Sequence, residues 1–178
     1  SKLSAALPHN VYLLRSTDIV QRRNLDRARL AAWRFLIQYA NSTLAAIEFS
    51  CDSQGQNLRF ASLDTGPFAQ ATRDAVKLAE GLTSVQAGSY ELRVLKAPSV
   101  YVMALWLKSL QGGDDIVIPI ALAGPGPQPA SGGGTALPQS PADFLGALQP
   151  TATTALGFDS RPPSPPSGGQ SPRPGRTT

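Results

Sequence analysis

Residues 123–178 hold 12 of the chain's 16 prolines and 10 of its 16 glycines. Proline removes a backbone donor and glycine carries the largest entropy of ordering, so a stretch this rich in both cannot stand on a core of its own. The globular part is therefore expected within residues 1–122, a length that suits one domain around one core. Residues 123–178 read as a low-complexity tail carrying two apolar islands, Phe144-Leu145-Gly146-Ala147-Leu148 and Ala155-Leu156-Gly157-Phe158. Pro141-Ala142-Asp143 offers a helix start at the first island, and residues 161–166 (RPPSPP) carry the PxxP spacing of a polyproline II segment. Islands of this kind suit short motifs that dock into grooves on a partner.

Within residues 1–122, the short apolar run Val11-Tyr12-Leu13-Leu14 reads as a buried strand. Asp18 and Gln21 match a capping box, and the spacing beyond them predicts a long helix over 18–40. On that helix Leu30, Trp33 and Ile37 form a second apolar stripe, flanked by Arg23, Arg27 and Arg34. Alternation over 43–50 puts Thr43, Ala45, Ile47 and Phe49 on one face of a strand, and a turn leads to a second strand over 57–63. Pro67 opens a second helix. Residues 90–97 alternate, 99–108 are apolar on both faces as in a central strand, and Pro119 confines strand 116–120 to a sheet edge. The expected fold is α+β: a small sheet with two helices in the ferredoxin-like βαββαβ order, a C-terminal β-hairpin and an extended tail.

Catalytic chemistry finds little to work with. His9 is the sole imidazole and Cys51 the sole thiol, and a nucleophilic cysteine needs a base. Asp114-Asp115 beside two glycines reads as turn chemistry, and Glu48 with Glu91 forms an acid–base pair only if the two meet across the sheet. No glycine-rich phosphate loop, metal-ligand set or cofactor motif occurs, so no cofactor is expected. Thirteen basic and ten acidic side chains give residues 1–122 a formal charge of +3, concentrated in the arginines between positions 15 and 34. Arg23, Arg27 and Arg34 are the candidate contacts to nucleic-acid phosphates. Val11-Tyr12-Leu13 resembles the shorter signature of the RNA-recognition motif family, but residues 59–63 lack the glycine and paired aromatics of the longer one.

A lone cysteine fits a reducing, cytoplasmic setting, the first residues lack the charged and apolar regions of a signal peptide, and no apolar run approaches a membrane span. The expected function is non-enzymatic: a structural or adaptor subunit in a multi-subunit protein assembly. Its contacts are Leu30, Trp33 and Ile37 on the long helix and Phe144, Leu145, Leu148, Leu156 and Phe158 on the arm. Nucleic-acid binding is the alternative, and no membrane partner is expected.

Overall fold

The computed structural model describes residues 2–40, 42–120 and 137–159. Seven strands form one mixed sheet: β1 (Leu3–Leu13), β2 (Arg29–Tyr39), β3 (Ser42–Ser50), β4 (Arg59–Asp64), β5 (Tyr90–Ala97), β6 (Val102–Ser109) and β7 (Ile116–Ile120). Four helices accompany them: α1 (Ser16–Val20), α2 (Pro67–Glu80), α3 (Thr83–Ala87) and α4 (Pro141–Asp159). The spatial order is β4-β3-β2-β1-β5-β6-β7. Neighbours are antiparallel except β1 and β5, which run parallel. The chain thus lays down one four-stranded meander, crosses over through α2, and lays down a three-stranded one against the first.

This architecture overturns the ferredoxin-like expectation of a small sheet with two helices. The long helix over 18–40 does not form. α1 is a five-residue helix, Arg22 follows it at φ +46°, a short 3-10 turn spans Leu25–Arg27, and Arg29–Tyr39 is a full-length strand. The physical reason lies in residues 33–39. Trp33, Phe35, Ile37 and Tyr39 alternate with Arg34, Leu36 and Gln38, so the same apolar residues satisfy both a helical and a strand period. Aromatic and β-branched side chains pack well on a pleated surface, and strands on both sides of β2 fix the outcome.

The two sheet faces are covered differently. α2 lies on one face and buries Val11, Ala32, Val94, Leu105 and Ile118 against Ala75, Val76 and Ala79; Leu36 and Ala46 pack on Ala69 in the same layer. On the opposite face, α1, the Leu25–Arg27 turn and α4 bury Leu14, Leu95, Ala104, Trp106 and Val117. α4 is part of this core: Phe144 is only 2% exposed, and Leu145 and Ala152 are buried beside it. Ser140 caps the helix by accepting from the Asp143 N–H at 3.1 Å, with Pro141 in the first turn where no donor is needed. Gln149 ties α4 to α1, donating to Val20 O at 3.0 Å and accepting from Arg22 Nε at 2.8 Å.

The two margins of the sheet also differ. At β7, Val117 exchanges two backbone hydrogen bonds of 2.9 Å with Gln139. Pro119, two residues on, stands at the next outward position with no N–H to offer. At β4 no described segment pairs with the outer side, and the strand is exposed from Arg59 to Leu63.

Candidate interaction surface

Among the described residues, the sheet face that α4 packs on is covered only in part. Cross-strand register places Phe60, Phe49, Trp33, Asn10, Arg93, Trp106 and Val117 in one row running from β4 to β7. Trp106 and Val117 are fully buried under the helices, whereas Phe60 is 63% exposed. Leu63, Ile47 and Phe35 form the neighbouring row, with Leu63 57% exposed. Among the described residues, none of the buried apolar clusters takes in a side chain from this face of β2, β3 or β4. The aromatic rings pack on one another instead: Phe35 with Phe49 at 6.1 Å and Phe49 with Phe60 at 6.3 Å, both edge to face.

Bulges shape this surface. Ala61 is an extra residue in β4 opposite β3, so Phe60 and Leu63 emerge on one face although three apart in sequence. Ala31 plays the same part in β2 opposite β1 and turns Leu30 towards Trp33. Trp33 Nε1–H donates to Gly55 O at 3.2 Å, and the residues around Gly55 close one margin of the face. Gly55 has φ +76°, a backbone conformation that side-chain-bearing residues rarely adopt, and its site borders Trp33 Nε1 and Leu30 Cδ2 at ordinary contact distance, so the requirement for glycine comes from the backbone. Asp52 fixes this loop by accepting from the Gln54 and Gln56 N–H groups, both at 2.9 Å, and from Asn57 Nδ2 at 2.7 Å.

Across β2, β3 and β4 the charged side chains stand on the other face, whereas β5 brings Arg93 onto this one, over the Tyr12 and Trp106 rings at 4.7 Å. Arg34, Glu48 and Asp64 alternate away from the aromatic rows into a buried polar cluster under α2's side of the sheet. Arg34 Nη1 meets Glu48 Oε1 at 2.7 Å, Lys96 Nζ meets the same oxygen at 2.6 Å, and Arg34 Nη2 lies 3.7 Å from Asp64. Burial works against the Glu48 charge, but Lys96 and Arg34 outweigh it and hold the carboxyl below its usual range. Register places His9 opposite Arg34. Its Nδ1–H donates to Leu7 O at 2.6 Å, across the bulge where Leu7 adopts φ +50°. Burial lowers the His9 pKa from 6.5 to about 4, so the ring is neutral at pH 7.

The sign follows from proton counting. Between pH 6.5 and about 4 the unfolded chain binds a proton at His9 that the folded chain does not, so stability falls as pH drops through that window. The full loss at His9 comes to about 3 kcal/mol, and Glu48 adds to it below its ordinary value. Urea midpoints measured from pH 7 to pH 4.5 are expected to fall steadily, with His9→Gln flattening most of the slope. An unchanged slope in that variant would assign the pH dependence elsewhere.

The residues singled out in the sequence are placed as follows. Leu30, Trp33 and Ile37 share a face, as expected, but on strand β2, and all three are half-buried. Phe144 and Leu145 are core residues of the α4 layer, Leu148 packs against it, and Leu156 is half-buried; the Phe158 side chain and residues 160–178 lie outside the described residues. Arg23, Arg27 and Arg34 do not form a basic helix face. Arg23 follows α1 and reaches buried Asp18 at 3.5 Å, Arg27 sits in the 3-10 turn, and Arg34 is inside the ion cluster. Cys51 lies three residues beyond Glu48, about 10 Å along the ladder from the His9 row; burial raises its thiol pKa. Glu48 and Glu91 stand on opposite faces, and Glu91 pairs with Arg93 at 2.5 Å. Asp115 is a turn anchor, accepting from the Ser109 N–H at 3.0 Å and from Trp106 Nε1 at 2.9 Å.

Phe35 fell within the expected helix over 18–40, and Ile47, Phe49, Phe60 and Leu63 within strands, where apolar positions normally signal core, so none was legible as a surface residue. Among the described residues no helix is long and apolar enough to cross a membrane. Comparison of the chain with protein-family models, with curated proteins and with solved structures found no match.

Proposed function

We propose that this chain is a non-enzymatic structural or adaptor subunit that packs onto another protein chain through the half of its sheet that no described residue covers. The observation that carries the reading is the contiguous apolar surface of Trp33, Phe35, Ile37, Ile47, Phe49, Phe60 and Leu63, whose outer members are more than half exposed. Exposed apolar patches of this extent mark interaction sites in stable proteins, and aromatic side chains supply most of the energy where such sites are used. The patch favours protein over nucleic acid: among the described residues it carries no charged side chain across β2, β3 and β4, and phosphate recognition requires cations.

The test charges the face away from the sheet margin. Tyr39 is exposed at the end of β2 on this side, with Ile37 two residues before it. The variant Ile37→Asp/Tyr39→Asp is expected to fold, with its thermal midpoint within about 5 °C of the parent, and to lose its native partner chain, the affinity falling by a factor of about a hundred. The measurements are partner stoichiometry after purification of the untagged complex and titration of the isolated components. Undiminished assembly by the charged variant would end the proposal.

A further inference from the structure

Of the two sheet margins, one is closed by Gln139 and Pro119, and at the other, β4, no described residue pairs with the outer side. Exposed edge strands normally carry a lysine, a proline or a charge in mid-strand, because unpaired backbone groups template pairing with any other strand. β4 reads Arg59-Phe60-Ala61-Ser62-Leu63-Asp64, with both charges at its ends and none between. Its order is also antisymmetric: cation, apolar, small, small, apolar, anion. The bulge at Ala61 places Phe60 and Leu63 on the aromatic face and Arg59 and Asp64 on the opposite one.

We propose that β4 pairs antiparallel with β4 of a second copy of this chain about a two-fold axis between Ala61 and Ser62. In that register Arg59 faces the other copy's Asp64, Phe60 faces its Leu63, and Ala61 faces its Ser62. The Arg59–Asp64 and Phe60–Leu63 pairs each join residues on the same face of the joint sheet, as antiparallel pairing requires, and the bulge residue Ala61, unpaired on β3, lies at the centre. A two-fold contact repeats each favourable pair, so one strand supplies both halves of the junction. Arg59 forms no ion pair among the described residues and is exposed, while Asp64 keeps one third of its side chain open beyond its 3.7 Å contact with Arg34. The inference deepens the protein-binding reading by naming one partner, and rests on it only through the shared side chains of Phe60 and Leu63. Six residues a side make a small interface, so the expected dissociation constant is on the order of micromolar.

The register is tested by charge insertion and rescue on the full chain, followed by sedimentation velocity. Phe60→Glu alone and Leu63→Lys alone are each expected to weaken the dimer by a factor of about a hundred, since each places two charges against apolar partners. The double variant Phe60→Glu/Leu63→Lys puts the two charges opposite each other twice and is expected to recover to within about tenfold of the parent. Circular dichroism and melting of each variant establish that the monomers remain folded. Ile37→Asp/Tyr39→Asp is expected to dimerise like the parent, which separates this junction from the face contact. A parent chain that stays monomeric at about 100 µM, well above the expected constant, overturns the inference. So does a double variant no more dimeric than either single one.

Discussion

Ending the chain at Ile120 is expected to abolish cooperative unfolding of the sheet. The truncation removes Phe144, Leu145 and Ala152 from the core and bares Leu14, Ile19, Ala104, Trp106 and Val117, which α4 helps to cover. It also removes Gln139 from the Val117 backbone and Gln149 from Val20 and Arg22. Loss of one buried phenylalanine side chain costs about 3–5 kcal/mol and of one leucine about 2–5 kcal/mol. Domains of this size hold only about 5–15 kcal/mol in total. Calorimetry and far-UV circular dichroism are the measurements, with Phe144→Ala in the full chain as the graded companion, expected to cost about 4 kcal/mol. A truncated chain that melts within about 5 °C of the parent would mean that α4 rests on the sheet without completing its core.

The second large effect belongs to the ion cluster on the other face. Glu48→Leu is expected to destabilise by about 4 kcal/mol, the range for removing one partner of a buried pair. The cost arises because Arg34, whose side chain is 3% exposed, is left beside Lys96 with only Asp64 at 3.7 Å to answer it. Arg34→Met is expected to cost about 2 kcal/mol less, since Glu48 keeps Lys96 at 2.6 Å. The double variant Arg34→Met/Glu48→Leu is expected to recover most of the loss, as an apolar replacement of a buried pair commonly does. Urea unfolding of the four proteins closes the cycle and yields the coupling between the two side chains. If Arg34→Met proved the more damaging single change, Asp64 rather than Glu48 would be the anion on which the cluster depends.

How far the fold was legible follows from which elements carry their own punctuation. β3 and β5 were readable because each alternates over a short run, β4 because a turn leads into it, β6 because it is apolar on both faces as a central strand is, and α2 because Pro67 marks its first turn. Pro119 does lie in an edge strand. β2 was not readable, since Trp33 to Tyr39 fit two periods equally and the strands flanking β2 decide between them. That single misassignment removed a central strand and with it the topology. α4 was half visible: the start at Pro141 could be read, but its run through Pro150, which has no N–H to give the helix, is held by packing against the sheet and by Gln149 tied to Val20 and Arg22. The interaction surface was the least legible part. Trp33 and Ile37 share a face on a strand and not on the expected helix, while Phe49 was legible only as one of a strand face and Phe60 only as part of the second strand. Which half of a sheet face a helix will cover is set by where α4 comes to rest, and no local pattern in β3 or β4 encodes that.

The closed margin at β7 has a consequence for stoichiometry. A sheet open at both ends can add copies indefinitely, the geometry of a fibre. Here Gln139 occupies one end and Pro119 blanks the next position, so among the described residues the sheet has a valence of one. Any joining along its strands therefore uses up the one sheet margin left open among the described residues, and growth in that direction stops at two.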